Sequence, residues 1–180
     1  MKNLLTDIAG VRVGHAHDAA IATGVTAIVF DKPAVASLDI RGGGPGTRDS
    51  ALLDPVNTVD GIDGLALSGG SAFGIDAGGG VQAWLAEQGR GFRIANAVIP
   101  IVPGAVVFDM LNGGDKNWGR FAPHRDLGYA AAASASDEFA LGSVGAGYGA
   151  TTANYKGGLG SASAKTAGGV SVAALAVVNA

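Results

Sequence analysis

The sequence contains no cysteine among its 180 residues. Disulfides, thiolate nucleophiles and cysteine-ligated zinc are therefore excluded within this chain. Charged residues are scarce at 15% and the formal net charge is −3. No basic surface is implied, so neither nucleic acid nor an anionic membrane is an expected partner. Aromatic residues make up only 6%. The opening stretch MKNLLTDIAGVRVGH lacks the apolar core of a secretory signal. No run near 18 residues is free of glycine and charge, so no bilayer-spanning helix is expected. The expectation is a cytoplasmic chain that folds as a single domain over residues 1–180.

Glycine is abundant instead, at 31 residues, and 48% of the chain is hydrophobic. The glycines have no period of three, so they do not signal collagen. They gather in clusters, which suggests close approach of backbone to backbone or to ligand.

The residues VRVGH (11–15), GVTAIVF (24–30), AVASLDI (34–40) and IDGLALS (62–68) read as strands, with Asp31-Lys32-Pro33 as a turn between the second and third. Ser71 reads as a helix N-cap, and Ala77, Val81, Trp84 and Leu85 recur at helical spacing until Gly89. Gly78, Gly79 and Gly80 lie inside that helix. Each costs about 1 kcal/mol relative to alanine, so that face must be closely packed. Residues 99–111 read as buried strand, or strand and short helix. A small-residue helix is expected from Asp126 to 136, a strand–loop–strand over 143–164, and a closing strand over 169–179. The class is α+β, with helices on broad sheets.

Three glycine-rich stretches could carry chemistry. In DIRGGGPGTRDSALLDP (39–55), a turn containing Gly42, Gly43, Gly44 and Gly46 could present backbone N–H groups to an anion, flanked by Arg41 and Arg48. A tight turn with those arginines paired to Asp39 or Asp49 is the competing reading. LSGGSAFGIDAGGG (67–80) lacks the G-x-S-x-G spacing of a nucleophile elbow and reads as capping and packing. GAGYGATTANYKGG (145–158) fits G-x-G-x-x-A formally, but the later glycines forbid the helix that a dinucleotide site needs. It leaves Lys156 among glycines, either as a solvated loop lysine or as a positive charge for a developing oxyanion. His15 and His17 have no signalled third ligand, so neither a metal nor another cofactor is expected. Asp109, Asp115 and Asp126 show no pairing, and no persuasive nucleophile is visible. The chain closes on SVAALAVVNA, with the amide of Asn179 after an apolar strand.

Seven stretches, LTDIAGVRVGHAHD (5–18), DIRGGGPGTRDSALLDP (39–55), LALSGGSAFGIDAGGGVQAWLAEQGRGF (65–92), PIVPGAVVFD (100–109), LGYAAAASA (127–135), GSVGAGYGATTANYKGGLGSASA (142–164) and VAALAVVNA (172–180), run in order across nearly the whole chain. Together they resemble the DmpA-type family of self-processing aminopeptidases and amidases, which includes β-peptidyl aminopeptidases and nylon-oligomer endohydrolases. The resemblance implies a four-layer αββα sandwich related to ornithine acetyltransferase, completed by a second, β chain cut from the same precursor. These residues would be the α subunit. The nucleophile would be the Ser or Thr at the new N-terminus of the β chain, and αβ units would assemble into a homo-oligomer.

Carried over by position, Asn179 and Lys156 match residues at the oxyanion, while Phe108, Gly43 and Gly44 are expected at the substrate. Phe108 stands where nylon-oligomer hydrolases have tyrosine, and so brings no hydroxyl. Val106 and Val107 stand where peptide-releasing members place an acid for the substrate's amine, which weakens an aminopeptidase assignment. The expected activity is hydrolysis of a small amide or peptide through an acyl-enzyme. Acyl transfer to an amine, or noncatalytic binding by the same fold, are the alternatives.

Overall fold

The computed structural model describes residues 1–178. Its strands are β1 (Val11–Asp18), β2 (Thr23–Ala34), β3 (Thr47–Arg48), β4 (Ile62–Ser68), β5 (Phe92–Ile94), β6 (Ala97–Ile99), β7 (Gly104–Val106), β8 (Thr151–Thr152), β9 (Tyr155–Lys156), β10 (Leu159–Lys165) and β11 (Ser171–Val177). Helix α1 spans Ala77–Glu87, and α2 spans His124–Ala133.

The main sheet has the order β1-β2-β4-β7-β3. β1, β2 and β4 pair antiparallel in succession, whereas β4 and β7 run parallel. The period-two alternation of strands sends successive side chains to opposite faces. Val25, Ala27 and Val29 of β2 and Ala66 of β4 pack with Val81 and Leu85 of α1 and Ala131 and Ala132 of α2. From the other face, Val11, Val13 and Ile28 meet Leu5, Ile8, Phe139 and, from β11, Leu175. The sheet is thus covered by two helices on one side and by the β10–β11 hairpin on the other.

The helices touch through glycine. A Cβ at Gly80 would overlap the Arg125 carbonyl oxygen, and one at Gly128 would overlap the Ala77 carbonyl. Close backbone approach replaces large side chains here, which explains how a chain poor in aromatics packs this layer.

Several local readings are corrected. Residues 35–40 form no strand, and Asp31-Lys32-Pro33 is no turn, because β2 continues through it to Ala34. β2 and β4 shift register between Val29 and Ala34, and that irregular stretch absorbs the proline, which has no N–H to give a ladder. Ser71 opens a 3-10 turn (Ser71–Asp76) rather than capping a helix; Gly70 is the cap, at φ +83°, and α1 proper begins at Ala77. Gly89, at φ +66°, does end α1. α2 begins two residues before Asp126 and ends at Ala133. Residues 99–111 contain only the ends of β6 and the short β7.

Candidate active site

The parallel strands β4 and β7 end side by side, at Ser68 and Val106. β4 runs into Gly69 and Gly70, and β7 into Asp109. The Val107 amide donates to the Ser68 carbonyl at 2.8 Å, and the Ser71 amide donates to the Val107 carbonyl at 3.1 Å. This lashing aims the Asp109 side chain inward, where it is buried. The Gly70 amide donates to Asp109 Oδ1 at 2.7 Å, and the Thr23 hydroxyl donates to Oδ2, also at 2.7 Å.

Glycine is required at the turn. A Cβ at Gly69 would overlap the Asp109 carboxylate, and one at Gly70 would overlap the His124 ring. His124, at the start of α2, is fully buried, with Nε2 3.2 Å from the Thr23 oxygen. Since the Thr23 proton is committed to a carboxylate that only accepts, His124 Nε2–H donates to Thr23 Oγ1. Nδ1 then carries a lone pair, and it has no partner among the described residues. Burial pushes the His124 imidazole below its ordinary range, an effect that Asp109 opposes. Trp118 and this ring form a T-shaped pair with centroids 5.7 Å apart, and Phe73 and Trp118 form another at 5.4 Å.

Thr23, Asp109 and His124 have the residue types of a nucleophile, acid and base. All three are buried, however, so none can reach a substrate from this position. They form a buried network in which Asp109 accepts two hydrogen bonds and His124 Nδ1 is left unpaired among the described residues, and it fixes the junction of β2, β4, β7 and α2.

A cleft of about 360 Å³ opens immediately beside them, lined by Ala19, Ala22, Asn112, Ser143, Tyr148, Gly149, Thr151 and Lys156. Lys156 is the only charged side chain among the described residues that line it. Its ammonium donates to the Tyr148 carbonyl and lies over the Tyr148 ring, 5.4 Å from the centroid. The same ring stacks on His17, with centroids 4.3 Å apart. Val177, near the end of β11, pairs with Leu159, three residues after Lys156.

The structure brings some of the expected residues together and separates others. Lys156 lines the cleft. Phe108 is 47% exposed and precedes the buried Asp109. Gly43 and Gly44 are exposed in a different cleft, of about 390 Å³, formed by residues 38–47 with Ala105 and Val106. Asn179 lies outside the described residues. Arg41 pairs with Asp39, its Nε donating at 2.8 Å, and Arg48 pairs with Asp49 at 3.3 Å, so the paired-arginine reading of this turn holds. A roomier groove of about 560 Å³ lies between residues 37–40 and 50–57, but Asp54 is its one charged side chain among the described residues. Among the described residues no group of three or more His, Asp or Glu is arranged to hold a metal.

Sequence reasoning missed Thr23, Asn112 and Lys116, and saw no partner for Asp109 or His124. One signal was available: Asp109 directly follows the apolar run IPIVPGAVVF, and an acid there must either be exposed or be fully hydrogen-bonded.

The model of peptidase family S58 matches residues 3–180. This chain belongs to peptidase family S58. An uncharacterized aminopeptidase of Mycobacterium tuberculosis, Rv1333, is 47% identical over 99% of this chain and 53% of its own length. The 6-aminohexanoate-oligomer endohydrolase of a Kocuria strain is 32% identical over 60% of this chain and 28% of its own. Among solved structures, a Burkholderia β-aminopeptidase superposes with a TM-score of 0.74 at 24% identity, covering all of this chain and 53% of that one. The L-aminopeptidase D-Ala-esterase/amidase of Ochrobactrum anthropi, described as a variant of the Ntn-hydrolase fold, gives 0.74 at 20% identity over 97% of this chain and 52% of its own. The S58 chain described here thus shares that fold, and spans about half the length of the relatives with the fullest coverage. No helix among the described residues is long and apolar enough to cross a membrane.

Proposed function

We propose that residues 1–180 are the α subunit of a self-processing amide hydrolase whose nucleophile is the N-terminal Ser or Thr of a β chain from the same precursor. In this reading the β chain completes a four-layer αββα sandwich, αβ units form a homo-oligomer, and the enzyme is cytoplasmic. The observation that carries the proposal is the isolated positive charge of Lys156 in a cleft, seated on a carbonyl and an aromatic face, within a chain of the S58 family.

The steps follow from that chemistry. The nucleophile's hydroxyl proton passes to its own α-amine as its oxygen attacks the substrate carbonyl. The carbonyl oxygen becomes an oxyanion, which takes hydrogen bonds from the Lys156 ammonium and the Asn179 amide. The C–N bond breaks as the proton moves to the leaving amine. Water then attacks the acyl-enzyme by the same path and restores the hydroxyl. Phe108, Gly43 and Gly44 would contact the substrate beyond the reacting atoms.

The test uses the full-length gene product. Intact-mass analysis and N-terminal sequencing should find two co-purifying chains, the second beginning with Ser or Thr. Incubation with a small amide should release acid and amine. If an added amine acceptor captures most of the acyl group, the activity is acyl transfer. A single uncut chain that binds but never turns over an amide would leave only a binding protein. In matched, fully processed enzymes, Lys156→Ala and Asn179→Ala should each lower turnover about 10²–10³-fold. Lys156→Arg should retain part of the rate, because charge remains with altered geometry.

A further inference from the structure

The loop that follows β7 is strapped along the loop between β1 and β2. The Asp115 amide donates to the Ala20 carbonyl at 2.9 Å. Lys116 Nζ donates to the Ile21 carbonyl at 2.5 Å. Asn112 Nδ2 donates to the Ala22 carbonyl at 2.6 Å, and Asp109 accepts from Thr23. Four successive residues, the last three of the β1–β2 loop and the first of β2, are thereby held by the single stretch 109–116. A Cβ at Gly114 would overlap the Ile21 carbonyl, so the two backbones are in contact.

Asn112 does more than its neighbours. Its second Nδ2 hydrogen goes to the Gly149 carbonyl at 2.9 Å, and its Oδ1 accepts from the Gly114 amide at 3.2 Å. One carboxamide therefore joins three segments: the strap, the entry to β2 and the turn that carries Tyr148. Gly149 has no room for a Cβ against the Ala22 carbonyl, so the clamped segments are pressed together there. Tyr148, the residue before Gly149, supplies both the carbonyl and the ring face that seat Lys156. From the far side the seat is fixed by a packed turn, where the Ala146 amide donates to the Thr26 hydroxyl at 3.0 Å.

We propose that Asn112 is a positioning residue for Lys156. By holding the Gly149 carbonyl against the β2 entry, it keeps Tyr148 where the Lys156 ammonium is bonded and aimed into the cleft. The inference rests on the reading of Lys156 as an oxyanion donor, but its geometric half can be measured without any activity. Both Nδ2 hydrogens are committed to backbone carbonyls, so neither function survives loss of the amide. Asn112→Asp keeps the shape and replaces two donors with oxygens that face carbonyl oxygens. Asn112→Ala removes the clamp outright.

The experiment compares both variants with the wild type in the full-length protein. Brief treatment with acetic anhydride, followed by quantitative peptide mass spectrometry, gives the labelling rate of Lys156 relative to the exposed Lys32. In the wild type Lys156 should label several-fold more slowly than Lys32, since its nitrogen is engaged. In both variants the ratio should approach one. With a small amide substrate, kcat should fall about ten- to a hundredfold from misplacement of the donor, with KM changed by less than about twofold. A lower kcat with an unchanged labelling ratio would show that Asn112 acts elsewhere and overturns the proposal, as would an unchanged ratio with unchanged turnover. A raised ratio in a protein that hydrolyses no amide even as wild type would support the seat, while removing the hydrolase reading.

Discussion

Two glycine clusters of this chain look alike in sequence and behave in opposite ways. Gly78, Gly79 and Gly80 are buried in α1, and Gly80 lies so close to α2 that a Cβ would overlap the Arg125 carbonyl. Gly42, Gly43 and Gly44 have nothing among the described residues within 4 Å of where a Cβ would stand. The first cluster is a contact surface, meeting arginine side chains at Gly78 and Gly79 and the backbone of α2 at Gly80. The second is an open loop with room at each Cβ position. The contrast teaches that a run of glycines reports permissiveness, while only neighbours decide whether that permissiveness is used for packing. Gly70 and Gly145 belong with the packed class, since their missing side chains leave space for the rings of His124 and His15.

The largest effect that would break this contrast is at Gly80. Gly80→Ala should destabilise the fold by about 2–3 kcal/mol, because the added methyl meets backbone that cannot rotate away. Denaturant unfolding at constant m-value checks it. A change under about 0.5 kcal/mol would mean that the helices are further apart than described.

Acidification tests the packed glycines that seat histidines. Burial pushes His124 and His15 below their ordinary pKa, so both stay neutral in the folded protein where the unfolded chain binds protons. Below the unfolded value of about 6.5 the unfolded state therefore holds more protons, and stability falls as pH falls. The loss should set in as pH falls through about 6.5, the unfolded value, with His124, the more deeply buried ring, contributing the larger share. His124→Gln should flatten that part of the profile. A Tm that is constant over this window would mean that the rings are solvated. Asp7 acts in a separate and lower window. Its carboxyl, held down to about 2 chiefly by the Ser163 hydroxyl, adds stability that is present above its unfolded value and lost as pH falls toward 2.

Within α1 the comparison can be sharpened at an adjacent residue. The nearest atoms that a Cβ at Gly79 would meet belong to the Arg125 side chain, at 3.4 Å and beyond. Gly79→Ala should therefore stabilise by about 0.5–1 kcal/mol through helix propensity, opposite in sign to Gly80→Ala. Equal destabilisation at both positions would show that the whole face is in tight contact.

The smallest stability effect belongs to the open loop. Gly43→Ala and Gly44→Ala should change unfolding free energy by less than about 0.5 kcal/mol. Under the proposed function they should still lower kcat/KM, so calorimetry and kinetics together separate a ligand-facing loop from an idle one. Unchanged kinetics in both variants would remove Gly43 and Gly44 from the substrate.

Strands β1, β2 and β4 were legible because Val and Ile recur between polar punctuation, a signal local to each segment. So was the end of α1, since a glycine at C′ is the inexpensive way to leave a helix. The reading failed at Asp31-Lys32-Pro33, where a turn-like tripeptide is carried inside β2 by a shift of register against β4. Lys156 stood out because it is the one charge among glycines. Asn112 did not, since its value lies in two carbonyls 90 and 37 residues away.

The sequence by itself determined the class of fold, the family, the exclusion of cysteine chemistry and the demand for a tight face on α1. Those properties follow from composition, periodicity and ordered motifs, which exist before the chain folds. Only the tertiary structure decided which glycines are packed, which acid is buried, and which side chains surround Lys156. Asp109, Thr23 and His124 come from three distant segments and meet because parallel β4 and β7 end beside the entry to β2 and the start of α2. No local pattern encodes such a meeting: a buried polar group specifies that it must have partners, but the chain's path through the sheet selects them.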